Sequence, residues 1–129
     1  MKNIFLSFCL FFFCFVSCSF AQQHKEICDL KVTKAVTQEL LGRNIGIYVE
    51  IKNNNSIPLD ALEYVVNYFD GFNKKMGTNN FKWQAGNIIK AVDPGENLRD
   101  VNKNWVKGAN KIQVIIIKAH FTNGKLCRR

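Results

Sequence analysis

Between Asn44 and Lys52 the chain alternates strictly, with Ile45, Ile47, Val49 and Ile51 on one set of positions and Gly46, Tyr48, Glu50 and Lys52 on the other. Successive side chains of a strand point to opposite faces, so a run of period two with β-branched residues on one side predicts a half-buried strand. Such a strand is not stable alone. It needs neighbours to pair with and a second layer to cover its apolar face.

The same reading supplies the neighbours. Leu62, Tyr64, Val66 and Tyr68 share one face and Glu63, Val65, Asn67 and Phe69 the other, before the turn pair Asp70-Gly71. Bulk on both faces predicts a central strand. From Ile112 to Phe121 the chain is almost continuously apolar and closes on Thr122-Asn123-Gly124-Lys125. Asn-Gly between apolar residues signals a hairpin, which predicts a short last strand from about Lys125. Weaker strand patterns cover 27–37, 81–92 and 98–106, the last two separated by Asp93-Pro94-Gly95-Glu96, where Pro pre-sets φ and Gly accepts a positive one. A short helical turn at Val36–Leu41 excepted, no window carries an i, i+3, i+4, i+7 apolar stripe. The prediction is all-β: seven strands in a two-sheet sandwich or a small barrel.

The N-terminus reads differently. Lys2 precedes an apolar run from Ile4 to Val16, and Ser19-Phe20-Ala21 leads into polar Gln22-Gln23-His24. That is the layout of a secretory signal, and its apolar core is too short for the ~20 residues of a transmembrane helix. Residues 1–21 are therefore expected to be a signal peptide and 22–129 a single domain, secreted or periplasmic and without a transmembrane span. Phe15-Val16-Ser17-Cys18 also looks like a bacterial lipobox, so the alternative is lipidation at Cys18, which would tether the same domain to a membrane.

Of the five cysteines, Cys28 and Cys127 remain beyond the signal segment. An exported pair usually becomes a disulfide, and these have no C-x-x-C spacing that would suggest a reactive dithiol. A Cys28–Cys127 bridge closing 99 residues is expected. Because seven alternating strands make the first and last run the same way, both cysteines should fall at one end of the fold.

The order of these segments resembles the FxLYD-type domain of exported bacterial proteins. The resemblance rests on Asn53-Asn54-Asn55-Ser56-Ile57-Pro58-Leu59, on Leu62 to Gly71, on Val92-Asp93-Pro94-Gly95-Glu96 and on the closing apolar strand. Within it, Val66-Asn67-Tyr68-Phe69-Asp70 keeps the naming motif loosely, with Asp70 identical. The resemblance implies a seven-stranded immunoglobulin-like β-sandwich and carries no catalytic activity with it.

Candidate chemistry is sparse. His24 and His120 have no metal-ligand spacing, and Ser56, the one serine beyond residue 21, has no G-x-S-x-G context. His120 could serve an enzyme only if the fold placed a carboxylate within hydrogen-bond reach of it in a pocket. Asp60, Glu63, Asp70, Asp93, Glu96 and Asp100 form no D-x-D-x-D run that would hold calcium, and Asp70 and Asp93 read as turn residues. No catalytic residue, metal or cofactor is expected.

Without residues 1–21 the chain has 17 basic and 10 acidic side chains, a net charge of +7. Lys74, Lys75, Lys82, Lys90, Lys103, Lys107, Lys111, Lys118, Lys125, Arg128 and Arg129 suit an anionic glycan, lipid or protein partner, although their dispersal also fits solvated strand faces. No aromatic-basic motif for specific nucleic-acid binding occurs. The stretch between Phe72 and Trp83 is polar and reads as an exposed loop, making Phe72, Lys74, Lys75, Phe81 and Trp83 the candidate partner-binding residues, while the commoner fate of residues such as Trp83 and Trp105 is to fill the core. The expected function is a non-catalytic binding or cell-envelope structural module. The alternative is a secreted inhibitor that inserts its 72–83 loop into an enzyme.

Overall fold

Seven strands follow one another in the computed structural model, which describes residues 28–41, 44–103 and 106–129. The expected signal peptide, Cys18, His24 and Trp105 lie outside the described residues. The strands are β1 (Leu30–Leu40), β2 (Asn44–Asn53), β3 (Leu59–Phe69), β4 (Lys75–Gln84), β5 (Asn97–Asn102), β6 (Lys111–Phe121) and β7 (Leu126–Arg128). They form two antiparallel sheets, one ordered β1-β2-β5 and the other β4-β3-β6-β7. No helix occurs among the described residues.

The alternating residues do what their period requires. Ile47, Val49 and Ile51 of β2 and Leu98 of β5 face Leu62, Tyr64, Val66 and Tyr68 of β3 and Val114 and Ile116 of β6, all buried in one core. A side chain of this kind contributes about 1.5–3 kcal/mol when fully buried, so the facing rows hold the sheets together. β3 pairs with both β4 and β6, as its two bulky faces predicted.

The turns use their signalled chemistry. Glu96 N–H donates to the Asp93 carbonyl at 3.0 Å around Pro94-Gly95, and Gly95 takes φ 81°. The β6–β7 connection is one residue longer than a two-residue Asn-Gly hairpin. Gly124 N–H donates to Phe121 O at 2.9 Å and Phe121 N–H to Lys125 O at 3.0 Å, with Gly124 at φ 86° closing a three-residue loop.

Cys28 and Cys127 are joined, their Cα atoms 6.2 Å apart. The bridge ties the start of β1, an edge of one sheet, to β7, an edge of the other, at the same end of the fold. The strands it links are not hydrogen-bonded to each other, so the bond fastens sheet to sheet.

Three expectations need correction. Residues 36–41 are not a helical turn: Val36–Leu40 continues β1 in register with Asn44–Tyr48. The strand expected over 81–92 lies earlier, at Lys75–Gln84, and beyond it Val92 makes only an isolated bridge to Leu59. The 72–83 loop is consequently also absent; the turn between β3 and β4 ends at Lys74. Polar Thr78 and Asn79 sit comfortably in β4 because β3 offers them partners: Thr78 Oγ1 donates to Asn67 Oδ1 at 2.8 Å and Asn79 Nδ2 to the Tyr68 hydroxyl at 3.3 Å. Pairing outweighs the low strand propensity of asparagine.

Candidate functional site

Strand β6 changes face part-way along. Ile112, Val114 and Ile116 are buried, and simple alternation would send Lys118 and His120 into the core after them. The β3–β6 register instead slips between Glu63 and Tyr64, so that Tyr64 opposes Ile116 and Glu63 opposes Lys118, leaving Ile117 as the additional residue of a bulge. After it Ala119 and Phe121 point inward, and Lys118 and His120 reach the outer face.

A second irregularity meets the first. Leu59 pairs with Phe121 and Ala61 with His120, so Asp60 is the extra residue on β3. Its side chain lies beside the imidazole, with Asp60 Oδ1 and His120 Nδ1 2.6 Å apart. A carboxylate only accepts, so Nδ1 carries the proton in this contact and Nε2 is the ring's other polar atom. Two bulges thus deliver one polar pair to the end of the sheet.

Next to the pair runs a row of charges across all four strands. Lys82 on β4 opposes Glu63 on β3, Glu63 opposes Lys118 on β6, and Lys118 opposes Arg128 on β7. Three cations against one carboxylate leave the row positive. The Lys82–Glu63 separation of 4.0 Å, with Lys82 largely exposed, makes that pair energetically slight and keeps the lysine available to an anion. An open groove of about 410 Å³ lies among Glu63, Lys82, Trp83, Lys118, His120 and Leu126.

His120 therefore meets the geometric condition set for it by sequence, a carboxylate within reach at a groove. A histidine base of the Ser–His or Cys–His kind would also need a hydroxyl or thiol beside it, and none lines the groove. Ser56 sits exposed in the connection between β2 and β3. No group of three or more His, Cys, Asp or Glu side chains placed to hold a metal occurs among the described residues. Asp70 caps its turn, Oδ1 accepting from Phe72 N at 2.8 Å and Lys74 N at 2.9 Å. Asp93 pairs with Lys90 and holds that ammonium above its ordinary pKa.

The five residues expected to form a partner site are separated. Phe81 is buried, its ring stacked on Tyr64 with centroids 5.4 Å apart, and Trp83 is half-buried against the core. Phe72, Lys74 and Lys75 are exposed at the opposite end of β4, about 25 Å away at strand rise. Sequence reading missed Asp60, Glu63, Lys118 and Arg128 as a group, because only the bulges bring them onto one face. The charges themselves were visible, Asp60 and Glu63 on β3, Lys82 on β4, Lys118 on β6 and Arg128 on β7, but no spacing within any one strand marked them as a group.

No helix among the described residues is long and apolar enough to cross a membrane. No protein-family model matches the chain, and no curated protein sequence matches it. Among solved structures it is similar to a hypothetical protein from Peptoclostridium difficile 630, with a TM-score of 0.63 at 10% identity, covering 81% of this chain and 88% of that one. At that identity the likeness extends to the fold alone, two packed antiparallel sheets.

Proposed function

We propose that the protein is an exported, non-catalytic binding module that engages an anionic partner, most simply an acidic envelope polysaccharide, through the outer face of its four-stranded sheet. The observation that carries this reading is the row Lys82, Glu63, Lys118, Arg128 beside the groove. A positive strip along a sheet face matches the repeating charge of an extended polyanion and raises its local concentration. Export is supported by the Cys28–Cys127 bridge, the covalent form favoured outside the cytosol. An immunoglobulin-like arrangement of the FxLYD type is supported by the strand order, in which β2–β3, β4–β5 and β5–β6 each pass between sheets. Processing after Ala21, or lipidation at Cys18, completes the proposal at the N-terminus.

The test is salt-gradient elution from a sulfated or carboxylated polysaccharide resin. A Lys82→Gln/Lys118→Gln/Arg128→Gln variant should elute at distinctly lower salt than the unaltered protein. Lys31→Gln/Lys34→Gln/Lys52→Gln removes the same charge from the three-stranded sheet and should elute close to the unaltered protein. Equal losses in both would mean that net charge alone holds the protein to the resin, and the site assignment would fall.

A further inference from the structure

One end of the sandwich carries a separate surface. The β3–β4 turn lies there with the start of β6 and the second half of β1: Phe69 at the end of β3 opposes Lys111 at the start of β6, and Val36 and Thr37 of β1 flank the same Lys111 and Ile112. Phe72 stands at the tip of the turn with 94% of its surface exposed, and Leu41, just past β1, with 99%. Met76 is also exposed at this end.

The exposed phenylalanine is held outward by its backbone. Asp70 Oδ1 accepts from Phe72 N and Lys74 N, Asn73 N donates to Asp70 O at 3.1 Å, and Asp70 N donates to Lys74 O at 3.0 Å. Asn73 takes φ 62°, the left-handed conformation that asparagine tolerates, and Lys111 Nζ braces its Oδ1 at 3.1 Å. A hydrated aromatic at the tip of an ordered turn contributes nothing to the core, and the ordered backbone leaves only its own rotamers to be fixed when something covers it.

Around it the charge is one-sided. Lys74, Lys75, Lys103, Lys107 and Lys111 are exposed at this end. The carboxylates there are Asp70, engaged in the turn, and Glu39. Phe72 projects among lysines rather than lining a cleft, which suits a partner that takes in a protruding side chain without a matching pocket and carries negative charge. The interface of an anionic bilayer has both properties.

We infer that this end docks on anionic phospholipid surfaces, with Phe72 inserted at headgroup depth and the surrounding lysines above it. The inference is independent of the polysaccharide reading, because it uses the opposite end of β4 from Trp83. The experiment is co-sedimentation of the exported protein with phosphatidylcholine vesicles and with vesicles containing phosphatidylglycerol. Binding is expected only to the second. Lys74→Gln/Lys75→Gln/Lys107→Gln should weaken it by about fivefold per lysine, and Phe72→Ser by about tenfold or more. Phe72→Trp should bind and shift its added emission to the blue, which a turn with a purely structural role would not produce. The Lys82→Gln/Lys118→Gln/Arg128→Gln variant should bind the vesicles nearly as the unaltered protein does. Failure to sediment with phosphatidylglycerol vesicles, indifference to Phe72→Ser, or equal loss in the sheet-face variant would each overturn the assignment, whatever the polysaccharide resin shows.

Discussion

The Tyr64 hydroxyl on β3 donates to the Asp100 carboxylate on β5 at 2.5 Å, a polar contact that passes from one sheet to the other. Asp100 opposes buried Val49, so it sits at an inward position of an edge strand, where an unpartnered carboxylate would be costly. Asn102 Nδ2 completes the arrangement with donations to Tyr64 Oη at 2.9 Å and Asp100 Oδ2 at 3.1 Å. Tyr64→Phe removes one hydroxyl and leaves Asn102 Nδ2 as the carboxylate's remaining donor in this cluster. A loss of about 1–3 kcal/mol in urea unfolding is expected, and Tyr64→Phe/Asp100→Asn together should lose less than the two single changes added.

The chain's three tyrosines should titrate late in alkali. Tyr64 is held well above the usual phenol range, first by burial and then by the hydrogen bond to Asp100; burial also raises Tyr68, and Tyr48 is raised by desolvation and by Glu50. A pKa higher in the folded than in the unfolded state means the folded form binds more protons once the unfolded tyrosine begins to ionise. The stabilisation is complete below pH about 10 and is lost as pH rises from there towards the folded-state value. Absorbance at the phenolate band should therefore rise for Tyr64 and Tyr68 in step with loss of near-ultraviolet circular dichroism. A smooth titration of every tyrosine near pH 10 with the fold intact would contradict the buried placement.

Reducing the Cys28–Cys127 bond releases a loop of 99 residues. Chain-entropy reasoning puts the cost at up to about 4.7 kcal/mol for a loop of that size. Cys28→Ala/Cys127→Ala should fall by about 2–5 kcal/mol in stability, and dithiothreitol should lower the unfolding midpoint of the unaltered protein but leave that of the variant unchanged.

The parts of this fold that were legible in the sequence are those where one residue type has one physical use. Ile47, Val49 and Ile51 alternate with Tyr48 and Glu50 because a single face is buried, although Ile45 before them is exposed; Pro94-Gly95 and Asn123-Gly124 mark turns that need their φ angles, and the two cysteines beyond the signal segment have each other. The illegible parts are those decided by pairing. Val114 to Ile117 is apolar at every position, so the bulge that turns Lys118 and His120 outward leaves no trace in the pattern. Thr78-Asn79-Asn80 reads as loop until Asn67 and Tyr68 are known to face it. The outer half of β1 is exposed on both sides, and an exposed strand has no period to read. The candidate site depends on the first of these features, the β6 bulge, which is why its members appeared in the sequence only as scattered charges.

Gly46 lies on the outer face of β2 beneath Leu40. A Cβ there would approach Asn102 O and Leu40 Cδ1 to 2.6 Å each, and the first of these is backbone that cannot swing aside. Gly46→Ala should therefore cost about 1–3 kcal/mol in spite of the gain in strand propensity. Adding Leu40→Ala relieves one of the two clashes, so the double variant should recover part of the loss; no recovery would place the whole cost on the β2–β5 backbone contact.

Asn53, fully buried at the end of β2, is the polar centre of the opposite end of the sandwich. Its Nδ2 donates to Ile57 O at 2.9 Å and Val92 O at 3.0 Å, and its Oδ1 accepts from Asn55 N at 3.0 Å, so one amide holds the β2–β3 connection against the segment leading into β5. Asn55 passes the connection on, donating from Nδ2 to Cys28 O beside the disulfide. Asn53→Ala takes these partners from the Ile57 carbonyl and the Asn55 N–H and leaves the Val92 carbonyl with Leu59 N–H alone, for an expected loss of about 2–4 kcal/mol. Asn53→Asp separates the contributions: it keeps the acceptor for Asn55 N but presents a buried carboxylate to two carbonyl oxygens, so it should be at least as destabilising as alanine at neutral pH and recover as the pH is lowered. If Asn53→Ala instead unfolds at nearly the unaltered urea concentration, water has taken over the three bonds, and the corner is held by the Cys28–Cys127 bond and the core rather than by this side chain.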